Sequence, residues 1–147
     1  MKPKPKKFIA ILTILIIAFV VVIGGLSYAV ATPITKRFTE FYILNSNNKA
    51  CDYPSSLKIG EEGKVVVGII NQEHETTTYQ VEIRVNGIFD NRMKPITLEY
   101  SEKWEETAYF IPDRAGDKQK VEFLLYKIGE SNVYLTVYLW LDIQQKE

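Results

Sequence analysis

His74 carries the one imidazole of the chain and Cys51 the one thiol. A nucleophilic site needs a base within hydrogen-bond reach of a Ser, Thr or Cys, usually steered by a third group. His74 stands in Gln72-Glu73-His74-Glu75, with acids on both sides and no Gly-x-Ser-x-Gly elbow anywhere. That setting reads as a solvated loop histidine. A zinc site needs several Cys or His ligands, which one of each does not supply. Cys51 has no internal disulfide partner. It reads as a small buried residue, with a bond to another chain or a lipid-like modification as the other reading. Glu61-Glu62, Glu105-Glu106 and Asp113/Asp117 pair carboxylates, which suggests glycoside hydrolysis or calcium. The first needs two carboxyls across a cleft, which a sandwich this small rarely offers, and the second a ligand-dense loop of the Asp-x-Asp-x-Asp-Gly type, which does not appear. Solvated turns are the expectation, with a weak divalent site in the Pro112–Asp117 loop left open. No enzyme, catalytic residue, metal ligand or cofactor is expected.

The more informative residues are aromatic. Near the C-terminus Leu135, Val137, Leu139, Leu141 and Ile143 alternate with Tyr134, Thr136, Tyr138, Trp140 and Asp142. In a strand these two sets point to opposite faces. If the aliphatic row faces a core, the aromatic row faces outward. One strand earlier, Glu122, Leu124 and Tyr126 would join it. Tyr126, Tyr134, Tyr138 and Trp140 are therefore the candidate partner surface, since aromatics with polar tips are enriched where proteins meet. Ordinary cross-strand packing is the competing reading. A carbohydrate ligand is a further possibility for the same rings. No basic residues interleave with them, which argues against single-stranded nucleic acid.

Such rows need strands to present them. Phe38–Leu44 alternates and reads as the first strand, followed by an Asn45-Ser46-Asn47-Asn48 turn. Leu57–Ile59 is a short extended piece. Gly60-Glu61-Glu62-Gly63 turns into Lys64–Asn71, a near-continuous β-branched run suited to a central strand. Gln72–Thr76 is a polar loop. Thr77–Val85 sets Tyr79, Val81, Ile83 and Val85 against Gln80, Glu82 and Arg84, one buried face and one wet. Asn86-Gly87 is a strong hairpin signal, and Ile88-Phe89 begins the return. Ile96–Tyr100, Glu105–Ile111, Lys120–Lys127 and Val133–Ile143 complete about seven strands, with no helix among them. Short strands at regular spacing predict an all-β fold, an immunoglobulin-like β-sandwich. The Cys…Trp…Cys framework of antibody domains is absent.

Ahead of the strands lies Phe8–Ala31, 24 residues without a charge. About 20 apolar residues span a bilayer as a helix, so a transmembrane helix is expected over 8–31. Ala29-Val30-Ala31 also resembles a signal-peptide cleavage site, and a secreted form cut near Ala31 is the alternative. Lys2, Lys4, Lys6 and Lys7 precede the span and favour a cytoplasmic N-terminus. The expected layout is a basic cytoplasmic tail 1–7, a single-pass span 8–31, a connector 32–37 and an extracellular sandwich 38–147. The chain holds 18 basic and 18 acidic residues. Without the four tail lysines, the remainder is net acidic, which argues against nucleic acid as a partner. The expected partners are the membrane and an envelope or membrane protein, with carbohydrate as the second reading.

Thr39-Glu40-Phe41-Tyr42-Ile43-Leu44, Asp52-Tyr53-Pro54 and Leu57-x-Ile59-Gly60-Glu61-Glu62-Gly63 form a sequence pattern. Val67-Gly68-Ile69-x-Asn71, Tyr79-x-Val81-Glu82, Asn86-Gly87, Glu122–Tyr126 and Leu139-Trp140 continue it. Together they resemble a mainly archaeal membrane-protein family, the domain of unknown function numbered sixteen-sixteen. The resemblance implies an Ig-like extracellular module and brings no catalytic residue.

Overall fold

Alternating apolar residues make strands here, and nine of them follow one another in a computed structural model that describes Ile14, residues 17–22 and residues 36–145. The strands are β1 (Phe38–Leu44), β2 (Ser56–Lys58), β3 (Gly63–Gln72), β4 (Thr77–Val85) and β5 (Ile88–Arg92). They continue as β6 (Ile96–Leu98), β7 (Lys103–Phe110), β8 (Gly116–Lys127) and β9 (Leu135–Gln144). The chain divides into two compact units, Met1–Lys36 and Arg37–Glu147. In the first, Ile14 and residues 17–22 are helical and exposed. The rest of the expected span Phe8–Ala31 lies outside the described residues. Among the described residues no helix is long and apolar enough to cross a membrane.

The second unit is two sheets. One has the order β1-β3-β7, the other β2-β9-β8-β4-β5, with β6 also on β4. β3 is central, as its β-branched run predicts. The count of about seven strands is corrected to nine. The two left out of that count, β2 and β5, are the short Leu57–Ile59 and Ile88-Phe89 pieces, each held by a longer neighbour. β5 and β6 share one edge of β4: Ile88–Arg92 pairs with its second half and Ile96–Leu98 with its first. Between them stands Met93-Lys94-Pro95, where proline removes a ladder donor. β8 also starts earlier than expected, at Gly116, with a register shift before Gln119.

The inward rows meet in one core. Val65, Val67, Ile69, Tyr79, Val81, Ile83, Val121, Phe123 and Leu125 are fully buried. Phe110 and Phe123 pack edge to face at 6.3 Å between centroids. Burying one such ring is worth about 2–3 kcal/mol over leaving it in water. Asn86 and Gly87 both have positive φ, 51° and 77°, as a type I′ hairpin requires.

On the outer face of the smaller sheet, Gly68 has a different task. The Tyr42 ring lies across it, and a Cβ there would stand 2.2 Å from Cε2 of Tyr42. The ring reaches over β3, and its Oη donates to Glu105 Oε1 on β7 at 2.8 Å. Lys103 Nζ meets the same oxygen at 2.9 Å. Gly68→Ala should evict the ring and cost about 1–2 kcal/mol, the range of an overpacked site. The check is a double-mutant cycle with Tyr42→Ala. The two changes should be strongly non-additive, because each removes the same contact.

Candidate partner surface

The pairing of β8 with β9 sets Lys120 beside Trp140, Glu122 beside Tyr138 and Leu124 beside Thr136. β4 then places Arg84 beside Glu122, Glu82 beside Leu124 and Gln80 beside Tyr126. These residues are the outer face of the six-stranded sheet. Tyr138 and Trp140 are 53 % and 55 % exposed. Their rings stand edge to face, 6.0 Å apart with planes at 77°. Lys120 Nζ lies 4.6 Å from the Tyr138 centroid and 6.0 Å from that of Trp140. Glu122 holds this lysine at 2.6 Å. The exposed rings are thus fixed by neighbours, an arrangement that lowers the entropy lost on binding.

Next to them runs a charge row. Glu82 accepts from Arg84 Nε at 2.7 Å and from Arg92 Nη2 at 2.8 Å. The hydrogen bond from Arg92 does most to hold its carboxyl below the usual range, against the opposing effect of burial, with Arg84 adding to it. Glu82 was expected on a wet face, yet it is buried at 6 % exposure. Two arginines cover it, one from its own strand and one from across the hairpin. Leu124 is likewise buried, on the same face.

The four expected aromatics do not form one patch. Tyr138 and Trp140 are together. Tyr126 is half-buried on the same face, beyond Leu124, where it lines a groove of about 320 Å³ with Gln80, Glu82 and Arg92. Tyr134 departs from the row. It precedes β9, and its Oη donates to Glu73 Oε1 at 2.7 Å. Strand alternation begins only at Leu135, so the reading that placed Tyr134 outward extended the period one residue too far.

Glu73 is the centre of a second arrangement. It lies at the entry end of the sandwich, where β1 starts. Oε1 accepts from Thr39 Oγ1 at 2.7 Å, from Tyr134 and from Lys127 Nζ at 2.9 Å. Thr39 also meets Tyr79 Oη at 2.8 Å. Lys127 Nζ stands 3.9 Å from the Tyr134 centroid. Burial pushes the Glu73 carboxyl up, but the bonds from Tyr134, Lys127 and Thr39 outweigh it and hold it low. Burial likewise disfavours the Lys127 ammonium, and Glu73 reverses that and holds its pKa high. The cluster closes the core with a satisfied ion pair.

The other candidates stay apart. His74 is exposed and stacks on Tyr100 at 4.5 Å. Cys51 is exposed, with its thiol toward Asp52, so the expectation of a buried cysteine is corrected. It sits in the 45–55 loop, which is tied by Asn45: the side-chain oxygen accepts from the N–H groups of Asn47 and Lys49. At the far end a cavity of about 130 Å³ is lined by Val85, Ile88, Phe89, Asp90, Ile111 and Asp113. Burial raises the Asp90 carboxyl, the Ile111 N–H opposes that, and Asp113 adds to it. Among the described residues no group of three or more His, Cys, Asp or Glu gathers as a metal ion would need.

These features define a class: an Ig-like β-sandwich with a rigid aromatic and charged sheet face. The chain belongs to the family described as Domain of unknown function (DUF1616), which matches residues 33–142. No curated protein matches the sequence. Among solved structures, the CARDB domain of the PF1109 protein from Pyrococcus furiosus, in complex with di-metal ions, is similar. That likeness covers 78 % of this chain and 100 % of that one, at 12 % identity and a TM-score of 0.54. A β-glucosidase from Listeria innocua, in complex with glucose, matches 74 % of this chain but 16 % of its own, at 12 % identity and a TM-score of 0.50. At these identities the likeness shows the fold alone.

Proposed function

We propose that this protein is a membrane-anchored binding module rather than an enzyme. Phe8–Ala31 holds it in the bilayer, the sandwich stands outside the cell, and a protein of the envelope or membrane docks on the outer sheet face. The observation that carries this reading is the exposed Tyr138–Trp140 pair, pinned by Lys120 and flanked by the Arg84–Glu82–Arg92 row. Aromatic and arginine side chains dominate interface energetics, and preorganised ones most of all. The same geometry favours a protein over a saccharide. A sugar ring stacks best on an open aromatic face, and here the two planes cross at 77° while Lys120 lies over Tyr138.

The test is in-cell photocrosslinking from a photoreactive residue at Thr136, beside the pair. A discrete protein adduct is expected, and it should vanish when Tyr138 and Trp140 are both serine. Tyr134 is left intact, because it holds Glu73. The double variant should keep its unfolding midpoint, since exposed substitutions usually shift stability by no more than about 0.5 kcal/mol. A photoreactive residue at Lys64, on the other sheet, should give no such adduct. An adduct indifferent to the double substitution, or binding to immobilised glycans alone, overturns the reading.

A further inference from the structure

The entry end of the sandwich gathers four separate segments. They are the start of β1, the 73–76 turn, the 99–102 turn and the 128–134 loop. The register requires this: Phe38 pairs with Gln72, Ile70 with Lys103, Thr77 with Leu98 and Leu125 with Leu135. At this end Phe38, Tyr100, Ile128 and Val133 are exposed, at 47 %, 49 %, 57 % and 44 %. None of them is required there by the core. Phe38 opens β1 and the other three stand in turns or loops, where a polar residue would serve a water-facing position better.

Tyr100 is held in place. Ser101 N donates to Asn71 O at 2.7 Å, Glu102 N donates to Glu99 O at 3.0 Å, and the His74 ring stacks on the phenol. Ile128 N donates to Thr78 O at 2.9 Å, which fixes the start of its loop. An amphipathic ring and aliphatic tips on braced turns suit the boundary between headgroups and acyl chains.

The distance along the chain fits. Only residues 32–37 separate the uncharged stretch from Phe38. Six residues reach about 20 Å at most, so an anchor ending at Ala31 keeps this end near the bilayer surface. Charge does not drive the contact. Arg37, Lys103 and Lys127 stand here against Glu73, Glu75, Glu99, Glu102 and Glu130, with Glu73 and Glu75 already paired to Lys127 and Arg37. The opposite end also exposes Ile88, Phe89 and Ile111, but around Asp90 and Asp113 and remote from the point of entry.

We propose that Phe38, Tyr100, Ile128 and Val133 form a rim that seats the sandwich in the headgroup layer of the lipid bilayer. The rim makes the module a fixed stand rather than a tethered one, and it directs the Tyr138–Trp140 face sideways, along the membrane surface. The proposal rests on the membrane anchor of the preceding reading and adds a second lipid contact to it.

The experiment uses the full chain with Cys51→Ser, reconstituted in phosphatidylcholine vesicles. Single nitroxide labels replace Phe38, Tyr100, Ile128, Val133 and, as the aqueous control, Phe89. Flotation after an alkaline wash reports the anchor. Collision with oxygen against a water-soluble nickel chelate reports depth. The four rim labels should favour oxygen several-fold more than the label at position 89, and high salt should not change the ratio. Vesicles that float with all labels equally aqueous overturn the rim and leave the anchor standing. Protein that fails to float overturns the anchor and the rim with it. An unchanged thermal midpoint in each labelled variant shows that the fold is not the cause.

Discussion

Glu73→Ala is expected to lower the unfolding free energy by about 3 kcal/mol, the cost of breaking a buried ion pair from one side. The carboxylate is 4 % exposed and three donors converge on one of its oxygens. Alanine would strand the Lys127 ammonium, whose side chain is only 18 % exposed, together with the Tyr134 and Thr39 hydroxyls. Glu73→Gln keeps an acceptor and the shape but not the charge, so it should lose about half as much. The same site sets a pH dependence. The Glu73 carboxyl titrates below its ordinary value in the fold, because the three hydrogen bonds overcome burial. Its contribution is therefore complete above the unfolded value of about 4.3 and is lost as pH falls through the lower folded value. Lys127 has the opposite sign. Its pKa is raised, so its contribution is complete below about 10.4 and is lost as pH rises through the folded value. Denaturant unfolding followed by tryptophan fluorescence from about pH 3 to 7 should show an acid slope that Glu73→Gln flattens. An identical slope in both proteins would place the acid sensitivity elsewhere.

Glu73 also marks the limit of what the chain's pattern discloses. The period-2 alternation of Thr77–Val85 and Leu135–Ile143 is local, and it gave the buried faces of β4 and β9 without reference to any partner. The Gln72–Thr76 loop has no such period. Glu73 meets Thr39, Lys127 and Tyr134, which come from three other parts of the chain, so nothing near it in sequence announces its burial. Glu82 was closer to legible. Arg84 lies two residues on and therefore on the same face, and the Asn86-Gly87 hairpin returns Arg92 across from it. A face with an acid, a like-faced arginine and a second arginine over a tight turn signals a covered carboxylate. Strand alternation also sorted Tyr138 and Trp140 outward, while Tyr134 lay one residue outside the strand that would have oriented it. The short strands β2 and β5 owe their pairing to longer neighbours, and their own residues carry little of it.

Asn71→Asp is expected to cost about 3–5 kcal/mol, since it changes one atom of a buried side chain but turns two of its hydrogen bonds, one fully buried, into repulsions. The residue is fully buried. Its Nδ2 donates to Glu75 O at 2.8 Å and to Leu98 O at 2.9 Å, and its Oδ1 accepts from Glu73 N at 2.9 Å. With aspartate, an acceptor oxygen would face two carbonyls. Asn132→Asp, on an exposed loop, carries the same chemical change and should be near neutral. Equal effects of the two in denaturant unfolding would sink the argument. The consequence reaches beyond stability. Asn71 joins the end of β3 to the 73–76 turn and to β6, and its main chain receives Ser101 N and gives to Glu102 O. Those bonds set the 99–102 turn that carries Tyr100. A variant that still folds should therefore exchange the amides of Ser101 and of residue 71 faster, and it should hold Tyr100 less firmly. Asn71 is thus a buried polar side chain that braces the turn from which the exposed Tyr100 projects.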